Sequence, residues 1–392
     1  MSDSIERIVT PAGVKGPWSV RARRVYPIVG EPIDGGVVTC LDGRIVSIGR
    51  AVYVPVRDLG DVTILPGWVN AHTHLEFSDL ERPLPYSGTS FAQWIREVIA
   101  WRRGRQVDPR QSVERGLHES TQHGVAAVGE ITTGTTWSAE LRPSIDATVF
   151  HETICLAPAR FAESLAAVDE FLDQRAAGAT WRAGLSPHAP YTVHPRLLVE
   201  LVARAKAREL PVAMHLAESR EELQLLRDGT GPLLELLQAA GIVWPKDDLG
   251  DFQRPRDYLQ ALSDAPRSLV IHGNYLSDDE IEFVAQRRDR MSVIYCPRTH
   301  AYFGHEPHPL DKLLQAGALV AIGTDGRGSN PDLSVWSELQ CVASKYPSLS
   351  PQKVLKLGTI NGAKALGIAD RYGSIEPGKV ASLIAVSGRL LE

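Results

Sequence analysis

Cysteine is scarce in this sequence. Four cysteines occur among 392 residues, far apart and without a Cys-x-x-Cys pair: Cys40, Cys155, Cys296 and Cys341. A disulfide framework or a cysteine zinc site would show closer, patterned spacing. The sequence therefore predicts neither, and the small zinc deaminase fold, which needs Pro-Cys-x-x-Cys, is excluded as well.

Long apolar runs are also missing. No uncharged apolar stretch reaches the ~18 residues that a membrane-spanning helix needs. Residues 1–6, MSDSIE, contain neither the basic segment nor the apolar segment of a secretory signal. We therefore expect a cytoplasmic protein with no membrane partner.

Positive charge is not in excess. The 42 Lys and Arg residues are outnumbered by 47 Asp and Glu residues, which gives a net charge of −5. The densest basic stretch, Arg96 to Arg105, is interleaved with Glu97, Val98 and Trp101, and it is typical of the solvated face of a helix. Binding to a phosphate backbone needs a basic surface, so we expect no nucleic-acid partner.

Several loop motifs are absent as well. The chain has no Gly-x-x-x-x-Gly-Lys-Ser/Thr and no Gly-x-Gly-x-x-Gly after a strand, which excludes the common phosphate and dinucleotide loops. It also has no Gly-x-Ser-x-Gly nucleophile elbow. Any chemistry must use other groups.

An apolar fraction of 43% supplies a full core, and the chain opens with a β pattern from about Val20 to Thr63. There, an Asp-Gly pair at residues 42–43 separates two β-branched runs, which predicts a hairpin. The tail at 373–386 returns to a β pattern after a Pro-Gly turn. We predict one small β-sandwich module built from both chain ends, residues 1–63 and 365–392.

Between these ends, buried-strand patterns alternate with amphipathic helices such as 161–175, 196–208 and 278–288. Eight strand candidates occur, at 64–70, 125–130, 147–156, 181–186, 210–215, 268–272, 291–296 and 318–325. Eight such units over about 280 residues predict an α/β fold, a (β/α)8 TIM-like barrel at residues 64–364. A doubly wound open sheet is the structural alternative.

Histidines and one acid stand at the ends of these predicted strands. His72 and His74 are two residues apart on a strand, so their side chains point to the same side. His215 ends another strand and Glu218 follows it, while His272 and Asp325 end two more. Taken singly, each could be a surface histidine or a helix-capping acid. Together they end strands one, five, six and eight on the face where barrel enzymes hold their sites.

With these motifs the sequence resembles the amidohydrolase superfamily, in its deaminase and chlorohydrolase branch. The resemblance runs from Leu65-Pro66-Gly67 through the strand-end motifs to Thr359–Ala363 and Gly373–Lys379. It implies one divalent metal ion, zinc or iron, bound by His72, His74, His215 and Asp325. The fourth strand has no lysine to bridge two ions, although Glu130 and Glu152 stand on neighbouring strands.

The resemblance also implies roles in catalysis. Asp325 would take a proton from a metal-activated water, His272 would orient that water, and Glu218 would protonate a ring nitrogen of the substrate. Loss of ammonia would make the protein a deaminase of a purine-nucleoside-like heterocycle. A chlorohydrolase or cyclic-amide hydrolase is the alternative, and a non-catalytic binding module is a third reading that predicts lost ligands.

Substrate contacts follow from the same resemblance, which is strongest to aminodeoxyfutalosine and adenosine-type deaminases. We expect Glu76, His188, Arg298 and His300 to contact a small heterocyclic molecule. Two arginines near the barrel mouth, Arg298 and Arg327, would suit a carboxylate on that molecule. The sequence leaves open whether the protein forms a homodimer.

Overall fold

Three β-sheets organise the chain. The computed structural model describes residues 4–8, 16–52, 54–134, 136–138, 140–176 and 179–387. The strands in these ranges are β1 (Ser4–Ile8), β2 (Trp18–Arg21), β3 (Arg24–Val25), β4 (Ile33–Asp34), β5 (Val37–Leu41), β6 (Arg44–Gly49), β7 (Val56–Asp58), β8 (Thr63–Pro66), β9 (Trp68–Thr73), β10 (Val125–Thr132), β11 (Asp146–Thr153), β12 (Arg182–Pro187), β13 (Pro211–Leu216), β14 (Arg267–His272), β15 (Met291–Tyr295), β16 (Leu319–Ile322) and β17 (Leu383–Ser387).

Helices fill most of the connections after β9. They are α1 (Phe91–Gly104), α2 (Pro109–Gln122), α3 (Phe161–Ala176), α4 (Pro195–Ala207), α5 (Arg220–Asp228), α6 (Pro232–Ala239), α7 (Pro255–Leu262), α8 (Asp278–Ala285), α9 (Pro297–Phe303), α10 (Leu310–Gln315), α11 (Val335–Lys345), α12 (Pro351–Leu357) and α13 (Ile360–Ala365). Short 3-10 helices lie at Leu75–Phe77, Pro158–Arg160 and Lys246–Asp248. Within the described ranges, no helix is both long enough and apolar enough to cross a membrane.

The largest sheet is a parallel barrel that runs in chain order from β9 to β16. Its two outer strands meet at a seam, where the backbone N–H groups of Thr324 and Asp325 donate to the carbonyl oxygen of His72 at 3.0 and 3.1 Å. The interior is filled by small and branched side chains such as Val69, Ala213 and Ile294. Helices cover the outside, so the strands are apolar on both faces. The predicted (β/α)8 barrel is confirmed, and the open sheet is excluded.

The other two sheets form the β module. One has the order β1-β17-β8-β3-β4 and the other has the order β6-β5-β2-β7. The C-terminal strand β17 pairs antiparallel with both β1 and β8, which joins the two ends of the chain. Side chains of both sheets share one core, including Trp18, Val38, Ile64 and Leu383. This is the predicted sandwich, and its hairpin turns at Asp42 and Gly43, both at positive φ.

The structure corrects the first predicted barrel strand. The apolar run at 64–70 is divided between β8, which belongs to the module, and β9, which begins the barrel. Pro66 has no N–H group with which to continue a ladder. Gly67 then passes so close to the neighbouring strand that a Cβ there would lie 2.8 Å from the Cβ of Ala126. The chain can therefore leave one sheet and enter the next within one residue.

Candidate active site

The first histidine pair lies where β9 ends. His72 is in the strand, His74 directly precedes the 3-10 turn, and their ring centroids are 4.9 Å apart. The buried carboxylate of Glu130 holds this turn, because its two oxygens accept from the N–H of Leu75 at 3.0 and 3.2 Å. The same contact accounts for Glu130, which the sequence left as a possible bridge between two ions.

His215 enters the cluster from β13, on the opposite wall of the barrel. Its Nδ1 lies 3.1 Å from the carbonyl oxygen of His188, and its Nε2 lies 3.2 Å from the Nε2 of His74. The first contact orients the ring and leaves Nε2 to face His72 and His74. Ligand atoms of these three histidines lie within 4.8 Å of one another.

Asp325 completes the cluster just after β16. Its Oδ1 is 3.7 Å from Nε2 of His72 and 3.8 Å from Nε2 of His74. The N–H of Gly326 donates to Oδ1 at 2.8 Å, and the hydroxyl of Ser329 donates to Oδ2 at 3.2 Å. These two donors fix the carboxylate in the barrel mouth.

Protonation favours metal binding at this cluster. Burial lowers the pKa of His72 and His74, and it lowers that of His215 to about 4, so all three rings are neutral at pH 7. Burial alone would raise the pKa of Asp325, but the net shift is downward, with the N–H of Gly326 among the groups that stabilise the charged form, so the carboxylate is ionised.

Three neutral imidazoles and one carboxylate form a donor set that suits a divalent ion such as Zn²⁺. Both ring nitrogens of His72 and Nδ1 of His74 are buried without a hydrogen-bond partner among the described residues. A buried polar atom without a partner is energetically unfavourable unless a ligand binds to it. The residues present therefore fit a metal ion.

Two further titratable groups stand beside the cluster. Nε2 of His272 lies 3.4 Å from Oε1 of Glu218. Burial, and after it the charge of Asp325, raises the pKa of Glu218 well above that of an ordinary carboxyl group. Glu218 is therefore held as an acid next to an ionised aspartate, which is the pairing that proton transfer in both directions requires.

The backbone around Glu218 is held by another buried acid. Glu222, in the first turn of α5, accepts from the N–H of Ala217 at 2.8 Å and from that of Glu218 at 3.1 Å. Ala217 has a φ of +53°, and His272 and Asp325 have φ values of +68° and +59°. Left-handed backbone at three site loops indicates that the surrounding contacts enforce the geometry.

A cavity of about 220 Å³ opens above these groups. Its walls are apolar and come largely from α1 and α6, including Phe91, Trp94, Val98, Leu233 and Leu237, whereas its floor carries the histidines and acids. A mostly apolar cavity with a few convergent polar groups is the usual form of a small-molecule site.

Among the predicted substrate contacts, the structure brings His188 to this cavity and leaves three others outside its lining. The carboxylate of Glu76 is bound by Arg102 and is 3.9 Å from Arg105. Arg298 binds both oxygens of Asp332 at 2.7 and 3.0 Å, and Nε2 of His300 lies 2.9 Å from the carbonyl oxygen of Glu306.

The arginine pair expected at the mouth is likewise engaged elsewhere. Like Arg298, Arg327 forms an ion pair with an acid, Glu119, at 2.9 Å. Instead, Arg102 is the one arginine among the described residues that line the cavity. The interpretation of the basic stretch as solvated was wrong for Arg102 and Arg105, whose side chains are 34% and 6% exposed.

Sequence reasoning therefore missed Arg102 as a cavity residue, and it considered Glu152 only as a possible bridge between two ions. Arg102 continues the helical spacing of Ile95, Val98 and Ile99, all of which face the cavity, so the periodicity of α1 contained the signal. Glu152 lies near the carboxyl end of β11, as the candidate catalytic residues do on their strands, and that position was the signal for a place in the cavity.

The comparison with known proteins agrees with this geometry. Residues 63–391 match the amidohydrolase family. The chain belongs to the amidohydrolase family. Aminodeoxyfutalosine deaminase of Deinococcus radiodurans is 31% identical over 360 residues, covering 86% of this chain and 82% of its own. The 5-methylthioadenosine/S-adenosylhomocysteine deaminase of Moorella thermoacetica is 29% identical, covering 93% and 84%. A zinc-bound adenosine deaminase from Xanthomonas campestris has a TM-score of 0.75 at 27% identity, covering 94% and 84%.

Family membership confirms three expectations from the sequence. The resemblance to amidohydrolases is genuine, and it extends over most of the chain. The protein is an enzyme, a hydrolase of carbon–nitrogen bonds other than peptide bonds. Amidohydrolases depend on metal ions, which agrees with the cluster of histidines and Asp325.

Proposed function

We propose that this amidohydrolase is a deaminase that releases ammonia from an amino-substituted, purine-nucleoside-like heterocycle. The observation that carries the proposal is the geometry of the cavity floor, where Glu218 lies 3.4 Å from His272, and His272 clusters with His72 and Asp325. The pKa directions support it, because burial raises the pKa of Glu218 whereas that of Asp325 is lowered. Replacing an amino group by water needs one proton donor and one proton acceptor. The curated relatives are named as deaminases of aminodeoxyfutalosine and 5-methylthioadenosine, which supports the same reaction.

A single divalent ion, zinc ahead of iron, would be held by His72, His74, His215 and Asp325. A zinc-bound structure among the similar proteins supports that choice. When bound there, such an ion would polarise a water molecule and lower its pKa toward ~7.

The chain's own residues then divide the proton transfers. The Oδ atoms of Asp325 accept a proton from the attacking water and return it to the departing amine. Nε2 of His272, which is close to Glu218, orients that water. Glu218, which burial keeps protonated, donates to a ring nitrogen and makes the adjacent carbon electrophilic.

The apolar lining of the cavity favours a substrate whose heterocycle carries a large apolar substituent, called the extension below. The rings of Phe91 and Trp94 and the leucines of α6 would cover a large substituent and exclude water. His188, whose Nδ1 lies 2.6 Å from the hydroxyl of Thr192, would contact the heterocycle. Arg102 would meet a carboxylate at the end of the extension, and Glu76 would hold Arg102 in place. The contacts of Arg298 and His300 do not support a role in binding, and we assign them none.

The test is an ammonia-release screen with the zinc-loaded protein. The substrates are adenosine, 5′-substituted adenosines including aminodeoxyfutalosine, guanine, cytosine and a chlorotriazine. We expect ammonia from an adenosine-type substrate and no chloride from the triazine. Chloride release without ammonia would instead identify a chlorohydrolase, and a sample that binds no divalent ion would contradict both.

A further inference from the structure

Besides Glu218 and Asp325, the described lining of the cavity contains a third buried carboxyl group, Glu152, which the proposed reaction does not use. Glu152 stands near the carboxyl end of β11, lines the cavity and is only 7% exposed. Its Oε1 has no hydrogen-bond partner among the described residues. Nε2 of His188 is 3.9 Å away, and burial lowers the pKa of that imidazole to about 3, so it supplies no positive charge at neutral pH. Burying a carboxylate oxygen without a donor is unfavourable, and a ligand that donates a hydrogen bond to Oε1 would compensate it.

A second metal ion does not account for Glu152. Ligand atoms of Glu152, His188 and His215 do lie within 4.8 Å of one another. However, Nδ1 of His215 faces a backbone carbonyl, and its Nε2 already faces His74 at 3.2 Å. One nitrogen lone pair cannot serve two ions. Nδ1 of His188 is engaged by Thr192 as well, so the trio is not an independent ion site.

The other acid near the cavity is not available for the same purpose. Glu76 is bound by Arg102, and its backbone carbonyl oxygen accepts from Arg105 at 2.7 Å. Breaking that ion pair to bind a ligand would leave a buried carboxylate or a guanidinium unpaired. Glu152 requires no such exchange.

We propose that Glu152 is a specificity-determining residue that accepts hydrogen bonds from neutral hydroxyl groups on the part of the substrate away from the reacting carbon. This rests on the proposed function. The charges around Glu152 determine which kind of hydrogen-bond donor on the ligand can approach its carboxylate. A cationic group would be repelled by Arg102 and by a divalent ion held on the cavity floor. An anionic group placed beside Glu152, unlike a distal carboxylate at Arg102, would be repelled by the carboxylate of Glu152. The ligand class is therefore a heterocycle with a neutral hydroxylated substituent, such as a sugar, rather than a bare base.

Binding of unreactive product analogues tests this without turnover. Inosine, 2′,3′-dideoxyinosine and hypoxanthine are titrated calorimetrically into the zinc-loaded wild type, Glu152→Ala and Glu152→Gln. Hydrogen bonds to a charged group contribute about 1.5–3 kcal/mol, so wild type should bind inosine at least about 10-fold more tightly than the dideoxy compound. Glu152→Ala should abolish this preference, and Glu152→Gln, which keeps an acceptor, should retain part of it.

The matched control is Glu235→Gln, which removes an exposed carboxylate from the outer side of α6. The metal content and the thermal unfolding of every variant are measured as well, to establish that the fold and the metal centre are intact. A preference that survives Glu152→Ala, or a variant that weakens all three ligands equally, overturns the assignment of Glu152. If wild type binds none of the three, the nucleoside-like substrate of the proposed function is wrong, and the assignment falls with it.

Discussion

Asn70 and Thr324 exchange two hydrogen bonds across the barrel seam. The N–H of Thr324 donates to Oδ1 of Asn70 at 3.0 Å, and Nδ2 of Asn70 donates to the hydroxyl of Thr324 at 2.7 Å. Both side chains are fully buried. The pair fixes the last barrel strand to the first, immediately next to His72 and Asp325, and so couples barrel closure to the proposed metal centre.

Asn70→Leu should therefore weaken both fold and site. It would leave the Thr324 N–H with only the His72 carbonyl oxygen as acceptor, and it would remove the donor to the buried Thr324 hydroxyl. Loss of these two buried hydrogen bonds should cost about 1–3 kcal/mol. Denaturant unfolding should show that loss, and kcat should fall because Asp325 is displaced. A variant with wild-type stability and activity would show that the seam is closed by the backbone alone.

His72→Ala should remove a ligand and abolish metal retention. We expect less than one-tenth of the metal content of wild type by elemental analysis, with a loss of kcat of about 10³-fold or more. His118→Ala, at an exposed position of α2, is the control and should retain both. Full metal content in His72→Ala would contradict the proposed ligand set.

Glu218→Gln should separate chemistry from metal binding. Because burial raises the pKa of Glu218, the protonated form persists at neutral pH, and activity should decline as pH rises through that pKa. The variant should lose about 10²–10⁴-fold in kcat with metal content unchanged, and this alkaline decline should disappear from its residual rate. An unchanged pH profile would assign the proton donor elsewhere.

Glu222 should make stability depend on pH. Burial raises its pKa from 4.5 to about 7, so between these values the folded state binds a proton that the unfolded state has lost. Its contribution to stability is therefore full below about pH 4.5 and declines as pH rises toward about 7. Glu222→Gln should flatten the fall in unfolding free energy over this range, measured by urea unfolding at several pH values. An identical slope in wild type and variant would contradict the shift.

Arg102 should favour substrates that carry a carboxylate at the end remote from the reacting carbon. Arg102→Met removes the guanidinium that lines the cavity, and we expect KM to rise about 10-fold for a substrate with a distal carboxylate, but little for adenosine. Arg103→Met, on the exposed face of the same helix, is the control. Equal effects of both variants would mean that the general positive charge of α1, not the cavity contact, is responsible.

Local patterns were sufficient for much of this protein. The order of strands and helices, the hairpin at Asp42, and the residues that end the barrel strands could all be predicted, since apolar runs and side-chain alternation are properties of neighbouring residues. The parallel barrel then follows, because carboxyl ends of parallel strands meet on one face. This topology predicts that the strand-end residues His72, His74, His215, His272 and Asp325 lie together.

Tertiary structure decided the partners of the long charged side chains. Arg298 reaches Asp332, while Arg102 reaches Glu76 and the cavity, although both arginines belong to helices near the barrel mouth. The sequence alone could not assign these contacts, because a guanidinium on a flexible chain binds whichever acid the packing of distant elements brings within reach. The division of residues 64–70 between two sheets had the same cause: only the approach of β17 and β10 shows where one sheet ends and the other begins.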